Sequence, residues 1–183
     1  MPTATSSKSW VFVGIDPGIV HTGVVRFHIR DDFTCTVSAY VVEGLDVDEI
    51  ASRCSSAEAV FIEAYRPRSH MAYDSRMVKG VAEIHKAIPG SKLINNTGVK
   101  KVIRQMLMQH LGLWDFPIST HHQDLRSAAY ILLYGMVKNP EYNNILTSLV
   151  GGNSSTETPR KEIQCYTLNS QFWLNEQNNG AIL

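Results

Sequence analysis

The sequence predicts an α/β domain built on a mixed sheet. Three observations lead there. Three strand-like runs between residues 9 and 43 follow one another with only short links, the pattern of an antiparallel meander. Two further short apolar runs, at 59–63 and 92–95, alternate with segments of helical period. The 183 residues are 44% apolar and 19% charged, ordinary usage for a chain with one real core. That length leaves no room for two large lobes and a linker.

Ser9-Trp-Val-Phe-Val-Gly-Ile-Asp16 is an apolar run ending in an acid and punctuated by Pro17-Gly18. From Gly23 to Ile29 the chain resumes with Val25, Phe27 and Ile29 on one face, and Arg30-Asp31-Asp32 is a turn. Thr34 to Glu43 is β-branched and aromatic, hence a third strand. Asp46 to Arg53 reads as a short helix with acids in its first turn. Ala59-Val-Phe-Ile-Glu63 is a fourth strand, again ending in an acid.

After Glu63 comes a basic, proline-containing loop, Ala64 to His70. Met77, Val81, Ile84 and Ile88 set a helix over 71–88, which Pro89-Gly90 stops. Lys92-Leu-Ile-Asn95 is a fifth strand. Thr97 is placed to cap one helix running to about Leu111, burying Val99, Val102, Ile103, Met106 and Leu107. Thr120 opens a last strong helix that Asn139-Pro140 ends. Residues 151–159 are a linker by composition, and 160–183 carry one apolar patch, Phe172-Trp173-Leu174. The division expected is a tail over 1–8, a domain over 9–139 and an extension of unassigned role over 140–183, able to dock on the domain.

The formal charge is zero, but the zero is a cancellation. Residues 1–63 carry net −5, residues 64–110 net +7 and residues 111–183 net −2. A basic block in a neutral chain fits either a polyanion partner or a solvated helix face. No apolar run reaches the roughly 18 residues of a membrane span, and the N-terminus does not read as a signal peptide. Cys35, Cys54 and Cys165 are odd in number and show no Cys-x-x-Cys spacing, so a cytoplasmic chain with reduced thiols is expected.

Asp16 and Glu63 both end strands, and groups at that edge of an open sheet converge on the usual ligand crevice. His121 and Asp124 are three apart at the start of the last helix and share a face. The four could meet at one point, and clustered carboxylates call for a cation, Mg²⁺ or Mn²⁺ by their oxygen chemistry. Each piece alone also has a plainer reading. Asp16 before Pro17-Gly18 fits a turn, Glu63 an exposed strand end, and Thr120-x-x-Gln123 a capping box. All three sites must then fall in the right order by coincidence.

Val13-Gly-Ile-Asp-Pro-Gly-Ile-Val-His-Thr-Gly23 resembles the first motif of RuvC-like Holliday-junction resolvases, of the ribonuclease-H-like superfamily. Phe61-Ile-Glu63 resembles the second motif of that family and His121-x-x-Asp124 the last, over about residues 9–138. The family occurs in bacteria and their phages, and a phage-encoded member fits the resemblance. It implies a ribonuclease-H-like sheet of five strands, three antiparallel then two parallel, flanked by helices. It further implies a divalent-metal-dependent endonuclease that resolves four-way DNA junctions by paired nicks, with Asp16, Glu63, His121 and Asp124 as catalytic residues holding two Mg²⁺ ions. Mn²⁺ is expected to substitute, because His121 stands where many members have an acid and imidazole suits softer ions. A two-fold junction calls for a homodimer, with the 71–88 helix as its contact. No nucleotide cofactor or membrane is implied.

The basic block then becomes a DNA surface: Arg66, Arg68, Arg76 and Lys79 after Glu63, and Lys100, Lys101 and Arg104 after the fifth strand. Tyr65 and Tyr73 are placed to stack on unpaired bases or, alternatively, to pack under the loop. Arg126 departs from the small residues usual after the last motif. Two other readings stand beside this one: a ribonuclease-H-like nuclease acting on RNA or other branched DNA, and a non-catalytic nucleic-acid-binding module. A sugar-kinase or actin-like phosphate domain needs a second lobe, for which there is no room.

Overall fold

Alternation along residues 9–43 produces the meander it predicts. In the computed structural model, which describes residues 8–66, 74–117, 121–151 and 161–168, β1 (Ser9–Asp16) pairs antiparallel with β2 (His21–Arg30). β2 pairs in turn with β3 (Cys35–Glu43), also antiparallel. The turn between them closes with Phe33 N–H donating to the Arg30 carbonyl at 2.9 Å. The short helix α1 (Val47–Arg53) starts at Asp46, whose carboxylate accepts the Glu49 N–H at 3.0 Å.

β4 (Ala59–Glu63) lies parallel to β1 on the side away from β2, with Ile15 opposite Ile62. α2 (Ser75–Ala87) leads to β5 (Lys92–Ile94), parallel to β4. Three antiparallel strands followed by two parallel ones are the layout expected from the sequence. A sixth strand extends it: β6 (Lys161–Leu168) pairs parallel with β3, giving the order β5-β4-β1-β2-β3-β6. β6 thereby covers an edge that β3 would otherwise present.

The period-2 pattern divides the interior into two cores. Val13, Ile15, Val24 and Ile62 face α1 and α2, where Ile50, Val81 and Ile84 are buried. Phe12, Val25, Phe27 and Phe61 face α5 (His122–Lys138) and α6 (Pro140–Gly151). α5 lies very close to the sheet, because glycines stand where it crosses. A Cβ on Gly14 would meet the Ala128 carbonyl oxygen at 2.2 Å, and one on Gly23 the Asp124 carbonyl oxygen at 2.6 Å.

Three sequence expectations change. The single helix from Thr97 to Leu111 is two short ones, α3 (Val99–Val102) and α4 (Gln105–His110), because Ile103 and Arg104 adopt extended backbone between them. The break buries Ile103, Met108 and Leu111 but leaves Val102 46% and Met106 78% exposed, against expectation. Thr97 is not the cap; Gly98 is, at φ +82°, a conformation that favours glycine. Pro140 ends α5 and also opens α6, occupying the first helical position where its missing N–H costs nothing. Tyr142, Leu146 and Leu149 of α6 are buried, and Tyr142 meets Phe12 edge-on at 5.0 Å between ring centroids. The expected cap Thr120 lies outside the described residues, and the observed N-cap of α5 is His121.

Candidate metal centre

Strand parity decides which acids can meet. Phe12 and Gly14 face α5, so Asp16, two residues on, faces it too. Ala59 and Phe61 belong to the same core, which puts Glu63 on that face at the end of the neighbouring strand. Gly23 and Val25 do the same for β2 and bring His21 to the face. The close crossing at Gly23 sets the first turn of α5, with Asp124, against these three strand ends.

Asp16 records the consequence. Its carboxyl is pushed up to about 8, first by burial, then by the charge of Glu63, a hydrogen bond with Glu63 and the charge of Asp124; a hydrogen bond with Ser127 opposes the shift. Asn96 Nδ2 donates to Glu63 Oε1 and orients it. His121 joins the group through Asp124, with Nδ1 3.5 Å from Asp124 Oδ2. Its ring also lies against His21, the centroids 4.3 Å apart and the planes tilted by 55°. The four expected residues are therefore not one point. Asp16 and Glu63 form a carboxylate pair that feels the charge of Asp124, while the group whose donor atoms lie within 4.8 Å of one another among the described residues is His21, His121 and Asp124.

Carboxylates supply hard oxygen donors of the kind a divalent cation takes. Burial first, and then the charges of Glu63 and Asp124, raise Asp16, and a cation would offset those charges.

Asp16 and Glu63 line a cleft of about 590 Å³ together with Asn96, Lys100, Lys101 and Tyr130. Lys100 Nζ lies 5.8 Å from the Tyr130 ring centroid. Arg66 and Arg104 are exposed. Arg76 and Lys79 belong to α2, on the opposite face of the sheet from the carboxylates, and are paired with Asp74 at 2.9 Å and Glu83 at 3.8 Å. Tyr65 is partly buried against the α2-side core, its hydroxyl accepting the Asp74 N–H at 3.4 Å. Arg68 and Tyr73 lie outside the described residues. Arg126 serves the fold. Its Nε donates to the Trp114 carbonyl at 2.7 Å, and its guanidinium covers the Trp114 ring at 4.2 Å.

His21, Asn96 and Ser127 escape the sequence patterns used above. Ser127 follows Asp124 by three on one helix, and parity along β2 marks His21, so both carry a signal. Asn96 sits in a loop with no pattern to reveal it. Thr22 of the Thr-Gly pair has a structural role: its buried hydroxyl donates to the Gly44 carbonyl at 2.6 Å and accepts the Gly18 N–H at 3.2 Å, fixing the turn after Asp16.

Sheet order and site together define an α/β protein with a mixed six-stranded sheet and an acid at the end of each of β1 and β4. No family model matches the chain, and no curated protein sequence matches it. Two solved structures of Thermus thermophilus RuvC are similar to it. One, described as RuvC in complex with Holliday junction substrate, shares 18% identity at a TM-score of 0.46, covering 78% of this chain and 96% of that one. The other shares 18% identity at 0.45, covering 77% and 96%. Among the described residues no helix is long and apolar enough to cross a membrane.

Proposed function

We propose that the chain is a divalent-metal-dependent, structure-selective DNA endonuclease that resolves four-way junctions by paired nicks. The observation that carries this is that Asp16 and Glu63, ending adjacent parallel strands, line one cleft with Lys100 and Lys101. The motif resemblance supplies the substrate class. Two bound divalent ions, Mg²⁺ or Mn²⁺, would activate a water for in-line attack on phosphorus and stabilise the departing 3′ oxygen.

The chain's own residues do the rest. Asp16, Glu63, Asp124 and His121 are the residues that would hold the ions. Asn96 and Ser127 fix the rotamers of Glu63 and Asp16. Lys100 and Lys101 draw the phosphate backbone toward the acids without choosing sequence. Residues 9–139 are the proposed nuclease domain, acting in the reduced cytoplasm, and 140–183 its extension. The two-fold symmetry of a junction calls for a homodimer, and α2 is its proposed contact.

The test is a panel of four-way junction, linear duplex, flap and RNA–DNA hybrid, with Mg²⁺ or Mn²⁺, wild type beside Asp16→Asn. Paired nicks in the junction alone, lost in Asp16→Asn while junction binding persists, are expected. Cleavage retained by Asp16→Asn overturns the site. Preference for flap or hybrid overturns the substrate.

A further inference from the structure

Two imidazoles and a carboxylate meet at the junction of β2 and α5. Donor atoms of His21, His121 and Asp124 all lie within 4.8 Å of one another. None of the three is fully buried, so an ion can reach them. The imidazole rings are in contact, their centroids 4.3 Å apart at a 55° tilt. Each ring offers a nitrogen donor, and a cation between them and Asp124 would be shared by all three. Glu43 stands directly across from His21 in the β2–β3 register, on the same face of the sheet, and adds negative charge there.

We propose that His21 is a metal ligand, completing with His121 and Asp124 a two-imidazole, one-carboxylate site that takes a first-row transition ion in preference to Mg²⁺. It rests on the proposed nuclease reading only for its neighbour: Asp124 is shared with the oxygen-only cluster of Asp16 and Glu63. The chemistry differs between the two halves. Nitrogen donors favour Co²⁺, Ni²⁺ and Zn²⁺ over Mg²⁺, whereas carboxylates alone suit the hard ions. Ligands about 2.1 Å from one ion stand about 3.0–3.4 Å apart; His121 and Asp124 are already near that spacing at 3.5 Å, and no donor pair need close by more than roughly 2 Å. Rotation about side-chain torsions at a partly exposed site supplies that. The backbone is already set by the close crossing of α5 at Gly23.

The site has a direct test that needs no DNA. Co²⁺ is titrated into the full chain and followed by visible absorption, for wild type and His21→Phe, which keeps a ring against His121 but removes the donor. Co²⁺ affinity is expected to fall at least about tenfold in His21→Phe, with a changed ligand-field band, while Mg²⁺ affinity at the carboxylate cluster holds. The wild-type chain gives an independent reading: with ¹⁵N-labelled histidine and Zn²⁺, one ring nitrogen of His21 is expected to shift in step with one of His121. That measurement decides the matter if His21→Phe does not fold. An unchanged Co²⁺ affinity and band in folded His21→Phe, or a ¹⁵N shift at His121 without one at His21, overturns the proposal. Because neither readout involves cleavage, loss of the nuclease reading leaves this result standing, and the reverse holds too.

Discussion

The carboxyl groups of Asp16 and Glu63 stand at the ends of adjacent parallel strands and line one cleft, and burial together with the charge of Glu63 raises Asp16. Two ionised carboxylates so placed repel, and that charge adds to burial in raising Asp16. The fold enforces the meeting, since parity puts both side chains on the face that α5 covers.

The first prediction follows from the proton. Asp16 rises from 3.8 to about 8 in the folded chain. Between those values the folded state holds a proton that the unfolded state has released. Metal-free stability therefore falls as pH rises across that window and levels off above it. A divalent ion replaces the proton, so its stabilising effect should grow from pH 5 to about 8. Thermal melts across that range, with and without Mn²⁺, check this; a metal effect independent of pH would count against it.

Asp16→Asn removes the charge and keeps the shape. At pH 8 and without metal the variant should melt about 2–4 °C above wild type, the equivalent of about 1 kcal/mol for a chain of this size. It should also lose most of the stabilisation that Mn²⁺ gives. An Asp16→Asn melting temperature below wild type would show that the carboxylate serves the fold instead.

Much of this is legible in the sequence. Asp16 and Glu63 end apolar runs, so the strands are legible, but runs apolar on both faces do not show which face each acid takes; the two cores of the structure do. Asp124 and His121 gain weight only through spacing and the motif resemblance. The break at Ile103-Arg104 is not legible, because Val99, Val102, Ile103, Met106 and Leu107 fit a continuous helical stripe. Tertiary packing of Met108 and Leu111 overrides that pattern. α6 is hidden because Pro140 reads as a stop, although proline also starts helices. The +7 block is legible as charge but not as geometry: two of its lysines line the cleft, while Arg76 and Lys79 lie on the far face.

The tight crossing of α5 gives a third prediction. An added methyl at Gly23 meets backbone, the Asp124 carbonyl at 2.6 Å, which cannot rotate away. Gly23→Ala should destabilise the chain by about 1–3 kcal/mol through overpacking. It should also weaken Mn²⁺ binding, since Asp124 moves with its backbone. Gly90→Ala, where a Cβ meets nothing within 4 Å, is the comparison: strained by its φ of +78° but without effect on metal affinity. Equal losses of metal binding in both variants would separate α5 placement from the site.

The cleft lysines and the α2 cations give a fourth. Lys100→Ala with Lys101→Ala should weaken junction binding across all sequences and lower the salt slope by about one for each phosphate no longer neutralised. Arg76→Ala with Lys79→Ala should do less, because both side chains are already paired and sit behind the sheet. Binding measured between 50 and 200 mM salt, as a rough range, discriminates them; the larger slope change in the α2 pair would move the DNA path to the other face.

His121 gives the last prediction, on ion choice. It stands beside Asp124 at 3.5 Å and contributes nitrogen where an acid would contribute a charged oxygen. Nitrogen favours Mn²⁺ over Mg²⁺, both because the ion is softer and because a neutral ring leaves the site less negative for a hard, strongly hydrated cation. His121→Asp restores the oxygen and the charge, so Mg²⁺-supported cleavage should rise relative to Mn²⁺-supported cleavage, by about tenfold in the ratio. The added acid should also hold Asp16 protonated to still higher pH when metal is absent, steepening the pH dependence of the melts. An Mn²⁺ to Mg²⁺ activity ratio unchanged in His121→Asp would mean that His121 does not touch the ion and acts on Asp124 alone.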